Sequence, residues 1–240
     1  HQHEDKFFIA LFDETEKADQ YSKRGYHPVI VAEKYNNRYR IVRRIGFGAF
    51  SSVWLVYDYT DNDFKALKIH RSDSDSKETG ANEITFSKRI EKYPYFPKLH
   101  DSFIHTGING KHLTIVYELL GTTLFDVTKL YRESGTLPTI LVKKVAKQIL
   151  EAIALFHSLD IIHTDLKPEN ILQTNLSKNI QDIIDSYTPL PLDYQIDIDD
   201  VDLSVFPKQQ RDKLKKQLTR RQRNKISLPK PPKNKYTESD

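Results

Sequence analysis

The sequence predicts an α+β fold in which a five-stranded antiparallel sheet with one helix is followed by the start of a helical region and by a disordered, charged spacer. Two patterns support this prediction. Across residues 39–117, short apolar and β-branched runs alternate with turn residues, as in an antiparallel sheet. Across residues 139–157, apolar residues recur every three or four positions, as on one face of a helix. Beyond about residue 180 this periodicity is lost, and acidic and basic residues separate into blocks.

The predicted elements follow one another in a simple order. A polar extension occupies residues 1–37, and the sheet with its helix occupies residues 38–117. Residues 118–174 form the first helical part, and residues 175–240 form the spacer, which we expect to be largely disordered or locally helical at its basic run. The helices are predicted at residues 78–92, 122–131 and 139–157, and the strands at residues 39–45, 53–59, 64–69, 99–104 and 113–117.

The composition excludes several classes of protein. The chain of 240 residues has no cysteine, which rules out disulfides and cysteine-based zinc sites. No apolar run approaches the ~18 residues that span a bilayer, so we expect no membrane association. The first residues do not resemble a signal peptide. We therefore expect a protein of the cytoplasm and nucleus.

A glycine-containing loop lies between the first two predicted strands. Alone, a Gly-x-Gly hairpin is more often a plain turn. Between two strands it can fold over a nucleotide, because glycines let backbone amides approach phosphate oxygens closely. Phe50 at the loop tip would then cover the phosphates, and Val53 would pack on a base. The predicted nucleotide-binding loop consists of Ile45, Gly46, Phe47, Gly48, Ala49, Phe50, Ser51, Ser52 and Val53.

A lysine ends the next apolar strand. Alone, Lys68 would be read as a solvent-facing side chain, but behind a glycine loop it can neutralise the α- and β-phosphates of a nucleotide. Such a lysine needs an opposite charge to hold it in place. Glu83 on the following helix is the expected partner, because apolar residues that would seat the helix follow it, and Glu78 is the competing candidate.

The segment from residue 161 to residue 172 carries the strongest signal. Asp165 and Asn170 are five residues apart across a proline, with apolar pairs on both sides. Phosphoryl transfer needs a carboxylate to orient a substrate hydroxyl and accept its proton, and a neutral oxygen ligand for a metal that bridges the phosphates. We assign the first role to Asp165 and the second, with Mg²⁺, to Asn170. Lys167 would contact the transferred phosphate, and a lysine at this position fits serine or threonine as the acceptor.

From about residue 39 to residue 172 the chain resembles the eukaryotic protein kinases, which implies a protein-kinase-like fold with ATP and Mg²⁺ as cofactors. Finer features resemble the SR-protein kinases: the Gly-Tyr-His-Pro-Val lead at residues 25–29, Ser51 in place of a third glycine, and the His163-Thr164-Asp165 sequence. This second resemblance implies a monomeric enzyme that phosphorylates serines in Arg-Ser-rich splicing factors.

The resemblance also assigns the adenine site. It makes Tyr117 the gatekeeper residue and gives the backbones of Glu118 and Leu120 the hydrogen bonds to adenine. It adds Ala66 and Leu172 to the residues that bind the nucleotide.

One departure from the family pattern affects catalysis. No Asp-Phe-Gly or other Asp-x-Gly sequence follows Asn170, and no Ala-Pro-Glu follows either. Because both parts of the metal site must be present for efficient transfer, we expect this chain alone to be a poor catalyst. Three explanations remain open: a fragment of a longer kinase, a truncated gene model, and a natural kinase-like protein without catalysis.

A second function from a different class is a catalytically inactive, ATP-binding scaffold whose basic tail holds a polyanionic partner. Residues 208–225 carry nine basic residues against one acidic residue. A solvated spacer or a nuclear-localisation patch explains the same charges, and we do not expect direct nucleic-acid binding, because no aromatic residues interleave with them. The four residues that catalysis needs favour the enzyme: Lys68, Glu83, Asp165 and Asn170.

Overall fold

The computed structural model describes residues 7–8, 20–204, 206 and 208–223. Most of the first 19 residues, which belong to the predicted extension, and residues 224–240 of the predicted spacer lie outside this described part. The chain divides into two compact units. Unit 1 contains the described residues within 1–89, 98–118 and 188–240, and unit 2 contains residues 90–97 and 119–187.

Unit 1 is built on a six-stranded antiparallel sheet with the strand order β2-β3-β4-β5-β7-β6. All five predicted strands are present, and most are longer than expected. The strands are β2 (Lys34–Tyr35), β3 (Tyr39–Phe47), β4 (Ser51–Asp58), β5 (Asp63–His70), β6 (Leu99–Gly107) and β7 (Gly110–Glu118).

The sixth strand, β2, was not predicted. It pairs with β3 through a tight turn in which Asn36 and Asn37 have φ values of 49° and 52°. The N–H of Arg38 donates to the carbonyl of Tyr35 at 2.9 Å and closes this turn. A two-residue strand is too short to show an alternating pattern, but consecutive asparagines tolerate the left-handed region and signal such a hairpin turn.

Helix α1 (Ser74–Ile90) begins earlier than the predicted residue 78. The Asp73 carboxylate accepts hydrogen bonds from the N–H of Ser76 at 2.8 Å and from its hydroxyl at 2.9 Å. This is the arrangement of a helix N-cap, which satisfies a backbone donor that would otherwise be unpaired. Gly80 lets the helix approach the sheet, since a Cβ at this position would lie 2.8 Å from a methyl group of Leu113.

The sheet has a continuous apolar core on one face. Trp54, the only tryptophan of the sequence, is 2% exposed within it. Burial of this area from water is the main favourable contribution to the stability of the unit. The buried members of this core are Val29, Tyr35, Tyr39, Ile41, Trp54, Val56, Leu67, Ile69 and Val116.

The segment from residue 188 onwards is more ordered than the predicted spacer, for which a helix was expected only locally at the basic run. It contains β8 (Val201–Asp202), which pairs in parallel with β1 (Phe7–Phe8), and helix α5 (Lys208–Arg223). Apolar side chains from this segment pack against side chains that precede the sheet, and we name this group the tail cluster. Its buried members are Tyr21, Tyr26, Ile30, Val201, Leu203, Phe206, Leu214 and Leu218.

The physical reason for the difference is the sparse apolar pattern of α5. Leu214 and Leu218 lie one turn apart on a helix that is otherwise rich in basic residues, so their sequence shows little periodicity. Two leucines are nevertheless sufficient where a complementary apolar surface already exists, because most helical stability in proteins comes from tertiary packing.

A buried arginine fixes the start of the same segment. Arg40 on β3 is 1% exposed, and its guanidinium donates to the carbonyls of Ala32 at 2.9 Å, Pro191 at 2.8 Å and Tyr194 at 3.2 Å. Its Nε donates to the hydroxyl of Tyr59 at 3.0 Å. A buried charge needs hydrogen-bond partners to offset its desolvation, and here main-chain carbonyls supply most of them.

Unit 2 is helical and contains α2 (Leu124–Lys129), α3 (Thr139–Ser158), a 3₁₀ turn (Pro168–Asn170) and α4 (Lys178–Ser186). Helices α2 and α3 lie where the sequence predicts helices. Helix α4 falls in the predicted spacer and begins at a Ser177 cap. Within the described residues, no helix has the length and apolarity needed to cross a membrane.

Candidate nucleotide site and catalytic loop

The predicted site residues are divided between the two units, and those of unit 1 begin with the glycine loop. Strands β3 and β4 form a hairpin whose exposed tip holds Gly48, Ala49 and Phe50. The N–H of Gly48 donates to the carbonyl of Ser51 at 2.9 Å and closes the tip. The Phe50 side chain is 48% exposed, as expected for a residue that would cover a ligand.

The remaining loop residues line the two strands of the hairpin. Gly46 pairs with Val53, and Phe47 pairs with Ser52. The Phe47 ring packs against the ring of Tyr26, with 4.6 Å between centroids. Ile45 is half-buried at the bulged end of β3.

Lys68 and Glu83 form an ion pair in unit 1. The Lys68 Nζ lies 2.9 Å from Oε1 and 2.8 Å from Oε2 of Glu83. Glu83 is therefore the partner of this lysine, and the competing candidate Glu78 lies exposed on the same helix. The Tyr117 hydroxyl also donates to Glu83 Oε1, at 2.9 Å.

The surroundings of Glu83 keep its carboxylate ionised. Burial alone would raise the pKa of Glu83, but a hydrogen bond from His70 and the charge of Lys68 outweigh it and lower the pKa to about 2. The pKa of Tyr117 is raised, first by burial and then by the Glu83 charge. Both groups therefore hold fixed protonation states at neutral pH, and Lys68 faces a permanent negative charge.

The predicted adenine-binding residues of unit 1 lie at the end of β7. Tyr117 pairs with Ala66 across the sheet. The N–H of Glu118 donates to the carbonyl of Lys98 at 2.9 Å, and the Glu118 side chain accepts from the N–H of Lys98 at 2.8 Å. Since this N–H is engaged, a backbone contact of Glu118 with adenine would have to use its carbonyl.

The catalytic loop lies in unit 2, where Asp165 is held by its two predicted neighbours. Lys167 Nζ lies 3.1 Å from Asp165 Oδ1. Asn170 Nδ2 donates to Asp165 Oδ2 at 2.9 Å and to the Asp165 carbonyl at 2.8 Å. The hydrogen bond from Lys167, followed by that from Asn170, lowers the pKa of Asp165. The carboxylate is exposed and oriented, as a group that accepts a proton from a substrate requires.

A backbone-to-side-chain hydrogen bond and a left-handed residue define the shape of this loop. The N–H of Asp165 donates to His163 Nδ1 at 3.2 Å, and Thr164 has a φ of 65°. After the loop, Leu172 forms an isolated antiparallel bridge with Thr123, the N-cap residue of α2. Leu172 is 47% exposed, and the half-buried Leu120 precedes α2 in the same unit.

Asn170 fits the predicted role of a metal ligand in part. With its Nδ2 engaged by Asp165, its side-chain oxygen is the atom that can serve as a hard ligand. Within the described part of the chain, no group of three or more His, Asp or Glu side chains could hold a metal ion. Magnesium in such sites keeps water and phosphate oxygens as further ligands, so one amide oxygen is a partial but compatible donor set.

Sequence comparison identifies the family. The protein kinase domain family matches residues 39–186, which is more than half of the chain. This chain belongs to the protein kinase family. A solved structure of a kinase domain superposes on this kinase-family chain with a TM-score of 0.56 at 24% identity, covering 62% of this chain and 44% of the other. That similarity shows the fold alone, and the predicted protein-kinase-like α+β fold is confirmed.

The curated relatives refine the family assignment. Serine/threonine-protein kinase SRPK from Physarum polycephalum is 46% identical over 174 residues, which cover 69% of this chain and 41% of that protein. Protein kinase dsk1 from Schizosaccharomyces pombe is 40% identical, covering 65% of this chain and 30% of the relative. SRSF protein kinase 3 from Homo sapiens is 39% identical, covering 67% and 30%. The predicted resemblance to the SR-protein kinases is confirmed, and the chain spans less than half the length of these relatives.

Sequence reasoning missed two residues that contact the glycine loop. Tyr26 was noted only as part of the lead before the first strand, and Arg71, just after β5, was not considered. Both reach the loop from distant positions, through bonds to backbone carbonyls that any sequence provides. The one available signal was the position of Arg71 three residues after Lys68, at the end of the strand that neighbours the loop.

Proposed function

We propose that the protein is a serine/threonine kinase that transfers the γ-phosphate of ATP to serine hydroxyls in Arg-Ser-rich proteins. The observation that carries this proposal is the arrangement of Asp165 between Lys167 and Asn170. An ionised carboxylate held in one orientation can align a serine hydroxyl and accept its proton. Positioning and electrostatic stabilisation provide most of the catalysis in phosphoryl transfer. The fixed orientation of the Asp165 carboxylate therefore matters more than covalent chemistry.

The other residues act on ATP. The backbone of the glycine loop would approach the phosphates, and Lys68, held by Glu83, would neutralise the α- and β-phosphates. A magnesium ion, when bound, neutralises charge on the phosphates, and the side-chain oxygen of Asn170 would be one of its ligands. Lys167 would contact the transferred phosphate. These roles are supported by the ion pair and hydrogen bonds described above and by membership of the protein kinase family.

The choice of substrate is supported by the relatives. Two of them carry the names SRPK and SRSF protein kinase 3, and both align over about two thirds of this chain. From the same resemblance we propose that the protein is a monomer and that it resides in the cytoplasm and nucleus. The Arg-Ser preference makes a clear prediction, because an Arg-Ser repeat peptide should be phosphorylated and a peptide with lysine in place of each arginine should be a poorer substrate.

The test compares three proteins for phosphate transfer from Mg²⁺ and ATP to an Arg-Ser repeat peptide. The first is this chain, the second is a form that also includes an Asp-x-Gly segment from any further natural sequence, and the third is that form with Asp165→Asn. We expect transfer by the second protein, and a rate about 10²–10⁴-fold lower in the third, the range for a positioned general base. Asp160→Asn, at an exposed residue with φ of 56°, is the matched control and should retain activity. If the form with the Asp-x-Gly segment binds ATP but transfers no phosphate, the proposal is contradicted.

A further inference from the structure

The glycine loop is held from outside the hairpin by a buried tyrosine. The Tyr26 hydroxyl donates to the carbonyl of Gly48 at 2.6 Å, and its ring packs against that of Phe47. Tyr26 is 3% exposed, although its hydroxyl reaches the exposed tip of the loop. A short hydrogen bond from a buried group to an exposed loop restricts the conformations that the loop can adopt.

Arg71 holds the next two carbonyls on the same loop. Its backbone N–H donates to the carbonyl of Phe50 at 2.8 Å, and its Nη1 approaches the carbonyl of Ala49 at 3.4 Å. The guanidinium lies 5.1 Å from the centroid of the Tyr26 ring and is paired with Asp73. Three consecutive carbonyls at the tip are thus turned towards the same two residues.

This arrangement has a consequence for the amide groups of the tip. In a planar trans peptide, the carbonyl of one residue and the N–H of the next point in opposite directions. With the carbonyls of Gly48 and Ala49 bound to Tyr26 and Arg71, the N–H groups of Ala49 and Phe50 point away from them. Successive backbone N–H groups that face a ligand together form a site for anionic oxygens.

Tyr26 is itself seated by the tail. Its ring belongs to the tail cluster, beside Tyr21 at 5.7 Å between centroids. Its carbonyl accepts a hydrogen bond from Asn109 Nδ2 at 2.8 Å, and Asn109 Oδ1 accepts one from Gln210 Nε2 on α5 at 3.0 Å. All these side chains are buried. A continuous set of contacts therefore runs from α5 through Tyr26 to Gly48.

We propose that Tyr26 is a positioning residue for nucleotide phosphates, which orients the amide groups of the glycine loop and is seated by the docking of α5. The inference rests on the proposed function, because it concerns the same ATP site. It adds that residues 208–223, far from the loop in sequence, contribute to phosphate binding without touching the nucleotide. Tyr26 acts through the loop, so it should affect ligands that carry phosphates and not those that lack them.

The test measures the dissociation constants of Mg²⁺–ATP and of adenosine for the 240-residue chain by calorimetry. Tyr26→Phe removes the hydroxyl and keeps the ring in the tail cluster. We expect about fivefold weaker ATP binding, the effect of one net hydrogen bond, with unchanged adenosine binding and a melting temperature lowered by no more than a few degrees. Tyr57→Phe, which removes a hydroxyl that bonds Asn62 at a remote turn, is the matched control and should bind both ligands normally.

A second variant tests the contribution of α5. Gln210→Leu removes the hydrogen bond to Asn109 and should weaken ATP binding about two- to threefold, again without an effect on adenosine. The effect should be smaller than that of Tyr26→Phe, because Asn109 and Tyr26 lie between Gln210 and the loop. Equal loss of both ligands in Tyr26→Phe, or no loss of either, would overturn the inference and leave the proposed function intact. Wild-type protein that binds neither ligand would overturn the proposed function and the inference together.

Discussion

Glu83 holds Lys68 through both of its carboxylate oxygens, at 2.9 and 2.8 Å from the ammonium nitrogen. The ammonium group therefore cannot rotate freely, and its position is set by α1. That helix is in turn fixed by the Asp73 cap and by its close approach to the sheet at Gly80. The location of the charge that would meet a nucleotide thus depends on how one helix begins and packs.

Replacement of Glu83 by glutamine tests this dependence. Glu83→Gln keeps the shape of the side chain but removes the negative charge that holds Lys68. Because hydrogen bonds to charged groups contribute about 1.5–3 kcal/mol, we expect Mg²⁺–ATP to bind at least about tenfold more weakly. Calorimetric titration measures the change. Glu78→Gln, at the exposed competing position on the same helix, is the control, and an equal loss in both variants would show that the ion pair has no special role.

Stability should fall with acid in two separate ranges. His112 is fully buried, and its burial lowers its pKa to about 4. Its unfolded pKa is about 6.5, so the unfolded chain binds more protons between these values and stability is lost as pH falls through that range. Glu83 has its pKa lowered to about 2, so its contribution is present above pH 4.5 and is lost only below that pH.

The predicted loss from His112 is about 2 kcal/mol of unfolding free energy between pH 7 and pH 5. Urea denaturation at the two pH values, followed by the fluorescence of Trp54, measures it. His112→Asn, which can still donate to the carbonyl of His70, should reduce this pH dependence. His157→Gln, at an exposed position on α3, should leave it unchanged. A His112→Asn protein with the full pH dependence of the wild type would contradict the assignment.

Loss of the Arg40 guanidinium should destabilise unit 1. Arg40→Met retains an apolar stem of similar length but leaves several buried carbonyls without their donors, and unpaired buried groups cost about 1–3 kcal/mol each. Some of these carbonyls would regain water, so we expect a fall of about 3 kcal/mol in the free energy of unfolding. Arg43→Met on the same strand is exposed and should change it by less than about 0.5 kcal/mol. Similar values for the two variants would refute the role of Arg40.

Packing of α5 is tested by Leu214→Ala. Leu214 is 2% exposed in the tail cluster, and removal of a buried leucine side chain costs about 2–5 kcal/mol. Limited proteolysis with a protease of broad specificity, which does not depend on the lysine or the leucine that is replaced, should accordingly cut residues 208–223 faster in this variant than in the wild type. Lys215→Ala, at the next residue on the exposed face, should digest at the wild-type rate. Equal and rapid cleavage in all three proteins would show that residues 208–223 are disordered and would contradict the packing of α5.

The success of sequence reasoning depended on how locally each feature is encoded. The hairpin of the glycine loop, the strand that ends at Lys68 and the loop around Asp165 all combine residues that are neighbours in the chain, so their order and spacing are visible. The ion pair of Lys68 with Glu83 joins two consecutive elements, and the sequence left open only whether Glu78 or Glu83 forms it. The roles assigned to these residues stay predictions until they are tested.

The features that were missed depend on contacts between distant segments. Arg40 bonds carbonyls that lie about 150 residues away in sequence, and Tyr26 bonds a carbonyl of the glycine loop. Every residue has a main-chain carbonyl, so no pattern of side chains in the sequence indicates which carbonyls are bonded. The docking of the tail could not be predicted for a related reason, since the role of Leu214 and Leu218 is visible only beside the apolar surface that they cover.

The contacts of Arg40 also bear on how this part of the protein can change over evolutionary time. The guanidinium mainly recognises the course of the main chain at residues 191–194, and the one side chain that it meets there is the ring of Tyr194, whose centroid lies 5.7 Å away. A segment recognised in this way can exchange most of its amino acids and still dock, provided that its carbonyls keep their places. Related proteins could therefore carry unrecognisably different sequences at this position while sharing the same attachment, and a search for the attachment should look for the buried arginine.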